Sequence, residues 1–424
     1  MTGKSPSPDL ELNDVSVTQG RSDTRPLRVD HPAIGSKPIV LVLGMMSRWP
    51  VAGVAWVTVQ YLEGFRRLGY DVYYAEAHGC TQTKFMQTAE DDGVSLAADY
   101  IGRTLARFGF ADRWAYHDVH DTGRCFGLSR EKLYTLYKDA GAIINLHGGT
   151  EPLLEHSATG RLIYLETDPV EVQIGLGEGS QPVRNFLDAH ASYFTWGLNY
   201  GKPDCKLPTD PNYVFHHSPP LVVTDFWSPN DRGPADTFTT IGNWKQGYKQ
   251  VILDGETYHW SKHLEFLKFI DLPRKTPEKI ELAISPSSID EADTAVLRSN
   301  GWLVRNGVEV SAETEPYRRY LQQSRGEFTV AKDQNIRLRS GWFSERSAQY
   351  LAAGRPVVTQ DTGFGSAVPL GEGVFAFNSE QEILSAFESI RSDYNRHRRA
   401  ALDVACDLFN FDKVLPKVLA SVGA

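Results

Sequence analysis

The residues with most chemical promise lie close together in "GWFSERSAQYLAAGRPVVTQDTGFG", residues 341 to 365. Ser344 is a good helix N-cap, and Ala348, Leu351 and Ala352 follow at helical spacing, so a helix of about ten residues is predicted from Ser344 to Ala353. Gly354 stops it, Pro356 forbids its continuation, and "PVVTQ" reads as a strand. "DTGFG" then lies beyond a strand's carboxyl end, where open parallel sheets bind ligands. Unpaired N–H groups and the helix dipole favour an anion at the amino end, and a diphosphate fits that chemistry. Arg346 would add a full charge, with Gly341, Ser344 and Ser347 beside it. Gly363 and Gly365 would let backbone amides approach a ligand, Phe364 would cover a sugar or base, and Asp361 and Thr362 would bind hydroxyls. The same residues also make a plain capped helix and turn.

Other candidates stand at predicted strand ends. His147 in "NLHGGT" has room from two glycines and an imidazole's suitable pKa, so it is either a general base or a strand-edge cap. Asp168 in "ETDP" is a competing base, an orienter of His147, or a turn residue. Arg48 and Trp49 follow the first strand, and Trp49 offers a stacking face for a second substrate. Lys249 and Lys262, downstream of Gly242 and Asn243, are basic candidates for a donor site, or else solvated side chains. "YHDVHD", with His117, Asp118, His120 and Asp121, resembles a metal cluster only superficially. Its ligands do not face one way and no third element joins them. No DxD carboxylate pair is present, and no metal is expected.

These residues need elements to hold them. At 424 residues, two domains are expected. "KPIVLVLGMM", then "GVAWVTVQYLEGFRRLG" with Gly69 as its stop, then "YDVYYAEA" give the strand, helix, strand order of a parallel sheet. "GAIINLH", "RLIYLET" and "ASYFTWG" bring that sheet to at least five strands. A second alternating series runs through "TFTTIGN", the helix "SKHLEFLKFI", "KIELAIS", "GEFTVA", "PVVTQ" and "GVFAF", and the last 45 or so residues are helical, with Ser379 and Glu382 forming a capping box. The fold class is α/β, in two domains that share one architectural rhythm. The divisions are a polar tail (1–36), an amino-terminal domain (37–218), a proline-bearing linker, a carboxyl-terminal domain (236–400) and a final helical segment (401–424).

A net charge of −9 argues against a nucleic-acid partner. Cys80, Cys125, Cys205 and Cys406 have no CxxC spacing, and no run of apolar residues spans a bilayer, so a reducing cytoplasm is expected. The segment after the first strand, "GMMSRWPVAG", does not have the G-x-G-x-x-G spacing of a nicotinamide dehydrogenase.

"WFSERSAQYLAAGRPVVTQDTGFG" resembles the nucleotide-sugar signature of GT-B glycosyltransferases, and the resemblance extends from about residue 38 to 420. It implies two Rossmann-like domains across a cleft, a nucleotide-diphosphate sugar bound by the second, no other cofactor, and a last helix returning to the first. The acceptor is open: natural product, saccharide, lipid-linked sugar or protein. Many retaining members carry two glutamates eight apart here, whereas Glu345 is followed at that distance by Ala353, with Gln349 near the second position. Where members often have Gly-Arg, this chain has Gly242-Asn243. A sugar-nucleotide 2-epimerase and a non-catalytic nucleotide-sugar binder share the fold and are the rival readings.

Overall fold

The computed structural model describes residues 37–77, 85–228, 236–247 and 250–424. The tail (1–36), residues 229–235 of the linker and Lys249 lie outside the described residues. Lys37–Ala424 form one compact unit that holds two parallel-dominated sheets.

Among the described residues the first sheet has eight strands: β1 (Ile39–Leu43), β2 (Asp71–Glu76), β3 (Trp114–His117), β4 (Cys125–Gly127), β5 (Ala142–Leu146), β6 (Leu162–Glu166), β7 (Ser192–Thr195) and β8 (Phe215–His217). Their spatial order is β4-β3-β2-β1-β5-β6-β7-β8, and only the β3–β4 pair is antiparallel. β1 is apolar along its length, and β5 is apolar except for the buried Asn145, as strands in the middle of a covered parallel sheet should be. The helix Ala52–Arg67 buries nearly every residue from Ala52 to Phe65, and Gly69 follows with φ +97°.

The second sheet is wholly parallel. It contains β9 (Thr237–Gly242), β12 (Lys279–Ile284), β13 (Leu303–Asn306), β14 (Gly326–Thr329), β15 (Val357–Gln360) and β16 (Val374–Phe377), in the order β13-β12-β9-β14-β15-β16. A separate hairpin, β10 (Gln250–Leu253) and β11 (Glu256–His259), follows β9. The predicted helix after "YHW" is only one turn, His263–Leu267. The helix Glu345–Ala352 forms as read, capped by Ser344, whose Oγ accepts from the Arg346 N–H at 3.2 Å. The Ser379–Glu382 capping box is present in both directions.

One apolar cluster runs through both halves and joins Trp56, Trp227 and Tyr317, with the Trp56 indole donating to the Thr314 carbonyl at 2.9 Å. The last helix, Phe411–Ala420, packs on the helix Ala52–Arg67, where Gly64 makes room for Phe411 and Leu415. A third junction lies beside the "DTGFG" segment. Asn199 N donates to Ser340 O at 3.2 Å, Leu198 N donates to Gly341 O at 3.3 Å, and Gly197 bridges Trp342. Gly341 sits at φ +79°, and a Cβ there would lie 2.1 Å from the Asn199 nitrogen. Gly255, in the hairpin turn, has the same φ of +79° and open space around it.

This pair separates backbone strain from lost contact between the halves. Gly255→Ala should cost only the left-handed strain, about 1–2 kcal/mol. Gly341→Ala should cost roughly 3 kcal/mol or more, because the Asn199 backbone must also move. Urea unfolding of the two variants measures the difference, and equal losses would show that the junction is not tight.

Candidate active site

The wall on the first half is built from turns after β1, β5 and β6. Glu76, fully buried at the end of β2, accepts from the Ser47 N–H at 3.0 Å and the Tyr74 hydroxyl at 2.6 Å, and also from the Ser47 hydroxyl. That carboxylate fixes the turn after β1 and leaves Trp49 at the rim, 41% exposed. Arg48 is exposed beside it but does not line the cleft.

His147 ends β5 with φ +66°, an uncommon angle for a non-glycine residue. Its Nδ1 lies 2.7 Å from the Thr167 hydroxyl, and its Nε2 is buried with no partner among the described residues. Burial pushes its pKa down to about 4, so the ring is neutral at physiological pH. With Nδ1–H donating to Thr167, Nε2 keeps a free lone pair and can take a proton.

Asp168 lies on a strained turn. Val170 holds φ +121°, a severe angle for a β-branched residue. Its N–H donates to Gln173 Oε1 at 2.7 Å, and Gln173 Nε2 donates to both oxygens of Glu166, at 3.0 and 2.8 Å. The Thr195 hydroxyl also donates to Glu166, whose burial raises its pKa to about 7. The buried Glu166–Gln173 pair thereby holds the turn that presents Asp168.

The opposite wall comes from the second half: Asn243 after β9, Gln246, Trp260 and Lys332. Trp49, His147 and Asp168 share with them a cavity of about 500 Å³. Lys332 crosses it, donating to Asp168 Oδ2 at 2.7 Å while its ammonium lies 4.2 Å from the Trp260 ring centre. Asp168 is therefore ion-paired, and His147 is the freer base.

Asn243 also lines a smaller recess with Gly242, Lys262 and Thr329. Lys262 Nζ has one hydrogen bond among the described residues, to the Thr329 hydroxyl at 3.3 Å, and lies 5.9 Å from the centre of the Trp342 ring. Burial, then the neighbouring Arg346 charge, lowers its pKa to about 7. The Trp342 indole donates to the Thr167 carbonyl at 3.1 Å. Thr167 thus contacts His147 through its hydroxyl and the lysine's aromatic neighbour through its carbonyl, which brings recess and imidazole into one site.

Several sequence expectations need correction. Arg346 is 9% exposed, with Nε donating to Glu327 at 2.6 Å and Nη1 to the Ile241 carbonyl at 2.8 Å. It is anchored to the sheet and is not a free charge. Ser347 donates to the same Glu327, and Ser344 is buried as a cap, so the helix start does not open onto the 500 Å³ cavity. Phe364 packs edge-on against Phe343 within the core and presents no face to a ligand. Thr362 is buried and donates to the Trp342 carbonyl at 2.7 Å, and a Cβ at Gly363 would meet the Asn199 side chain at 2.8 Å. These glycines admit the chain's own first half. Asp361, Gly363 and Gly365 instead line a separate cavity of about 420 Å³, where Asp361 accepts from Arg339 at 3.0 Å. Gln349 lies in the core and accepts from the Tyr317 hydroxyl at 2.9 Å. Asp118 caps its own turn through Thr122, and no group of three or more possible metal ligands occurs among the described residues.

Glu327, Lys332, Trp260 and Thr167 were not read from the sequence. A glutamate inside the buried strand "GEFT" was the available signal, since a buried carboxylate needs a cationic partner.

A scan against protein-family models finds no match to the chain, and a search of curated proteins finds none. Solved structures do match. The Anabaena protein HepE, in complex with UDP, is 12% identical, with 91% of this chain and 99% of that chain covered and a TM-score of 0.53. The pneumococcal O-GlcNAc transferase GtfA, in complex with UDP and GlcNAc, is 10% identical, with 91% and 98% covered and a TM-score of 0.52. These likenesses show the fold, a GT-B-like α/β architecture built on parallel sheets.

Buried histidines give the protein an acid-labile region. His147, His156 and His190 each have a pKa lowered to about 4 by burial. A folded pKa below the unfolded value near 6.5 means that the unfolded chain binds more protons between those limits. Stability from each is present above about pH 6.5 and lost as pH falls towards 4. Glu166, raised to about 7, works oppositely, since acid relieves its burial. Three groups oppose one, so the melting temperature should fall steadily from pH 6.5 to 4.5; a flat or rising profile would contradict this account.

Proposed function

We propose that this chain transfers a sugar from a nucleoside-diphosphate sugar to a nucleophile on an acceptor. The observation that carries the reading is the partly buried Lys262 amine, which shares the Thr329 hydroxyl with the Arg346 guanidinium and has no other hydrogen-bond partner among the described residues. Glu327, the buried carboxylate nearby, is already occupied by Arg346 and Ser347. Positive charge in excess of its counter-charge, at the carboxyl end of a parallel strand, suits a diphosphate.

Across the site, His147 Nε2 is the proposed base. It would take the acceptor's proton as the nucleophile attacks the anomeric carbon and the bond to the diphosphate breaks. Lys262 would stabilise the charge gathering on the leaving diphosphate, in place of a divalent cation. Trp49 would position the acceptor, and the Asp168–Lys332 pair would hold the two walls in register. The UDP bound by HepE and by the O-GlcNAc transferase GtfA supports this class of donor.

Two variants test the roles separately. Lys262→Met should weaken binding of the preferred nucleoside diphosphate by at least about tenfold in calorimetry, the scale of one lost charged hydrogen bond. His147→Ala should bind that nucleotide normally but lose roughly a hundredfold or more in transfer rate. Unchanged nucleotide affinity in a folded Lys262→Met protein would remove the lysine from the donor site. Normal transfer by His147→Ala would remove the base.

A further inference from the structure

We propose that Lys262 gives up its proton when the site is empty and regains it when a nucleoside diphosphate binds, so that donor binding and proton uptake are one event. The inference rests on the donor reading above and concerns how that same site is regulated.

The geometry is unusual for a lysine. Lys262 is only partly exposed, its amine lies within ion-pair distance of no carboxylate among the described residues, and the Thr329 hydroxyl is its one hydrogen-bond partner among them. The charged groups that face it can be named element by element. The helix after Ser344 contributes the Arg346 guanidinium and, more weakly, the Glu345 carboxylate. β14 contributes Glu327, and the segment beyond β14 contributes Lys332. Glu327 holds Arg346 Nε at 2.6 Å and the Ser347 hydroxyl at 2.5 Å, so its charge is largely answered before Lys262 is counted. Lys332 is balanced by Asp168 and stacked on Trp260. His263, the next residue, faces the Trp244 ring, and burial and Lys245 lower its pKa. What remains around the amine is the Trp342 ring and the Arg346 guanidinium, whose Nη2 donates to the same Thr329 hydroxyl at 3.4 Å and which already occupies the one nearby buried carboxylate, Glu327.

A second ammonium there is costly without a counter-ion, and a lysine meets that cost by losing its proton. The free group accordingly titrates at about 7. A diphosphate supplies the missing negative charge and favours the ammonium form. The proton comes from the buffer and ends on Nζ, where it completes a charged hydrogen bond to a phosphate oxygen.

Calorimetry at pH 8 with a panel of nucleoside diphosphates, in phosphate-free buffers of small and large ionisation enthalpy, reads this directly. At that pH the terminal phosphate has already lost its last proton, whose pKa is about 6. The binding heat should vary linearly with buffer ionisation enthalpy, with a slope approaching about one proton taken up per nucleotide. Affinity should fall nearly tenfold per pH unit from about pH 8 to 9. Lys262→Arg, which keeps its charge at any of these pH values, should bind with no buffer dependence and a flat pH profile. Buffer-independent heat in the unaltered protein, or uptake that persists in Lys262→Arg, would overturn the inference while leaving the donor reading standing. If Lys262→Arg does not fold, the unaltered protein's pH profile decides, and constant affinity from pH 7.5 to 9 is the overturning result. Failure of every nucleotide in the panel to bind would overturn the donor reading and this inference with it.

Discussion

The interaction on which the rest depends is the buried ion pair between Glu327 and Arg346. Glu327 lies in β14, between β9 and β15, and is fully removed from water. A carboxylate in that position is tolerable only when charged hydrogen bonds answer it. Arg346 and Ser347 provide them, and in doing so bolt the first turn of the helix Glu345–Ala352 to the sheet. The Arg346 bond to the Ile241 carbonyl extends the same fastening to the end of β9. Once that carboxylate is committed, Lys262 has no acidic partner among the described residues, and the polarity of the recess follows from one missing negative charge.

The first half shows the complementary design, in which strain is held by buried hydrogen bonds. His147 and Val170 both adopt positive φ, and each turn is fixed by a neighbour that can be named: Thr167 for the imidazole, and the Glu166–Gln173 pair for the Val170 turn. Thr167 then connects the halves through Trp342. The geometry of the imidazole and the placement of the lysine therefore depend on a shared set of contacts, and the two halves meet as one site.

Periodicity and capping made the sheet-forming series, the Ser344 cap, the Gly69 and Gly354 stops and the Ser379 box legible, because each is a local signal within a few residues. His147, Asp168, Trp49 and Asn243 could be placed at one cleft because the carboxyl ends of parallel strands gather at one edge. The status of Arg346 and Phe364 could not be read, since nothing local says that Glu327, nineteen positions earlier in the chain, takes the guanidinium, or that Phe343 covers the ring. Gly341 and Gly363 looked like openings for a ligand. Their real neighbour, Asn199, is more than a hundred residues away in sequence, and only the folded chain reveals that approach. The hairpin β10–β11 was missed although Asp254-Gly255 carries its turn signal, with both residues at positive φ. Its strands are four residues each and largely exposed, so neither shows the longer apolar run that marks the buried strands.

The most direct test of the central claim is a crystal structure of the protein with its preferred nucleoside diphosphate. The account predicts phosphate oxygens within hydrogen-bonding distance of Lys262 Nζ, with the Glu327–Arg346 pair intact behind it and the base of the nucleotide directed along the second half. A diphosphate bound elsewhere, with Lys262 still resting on Thr329, would contradict it.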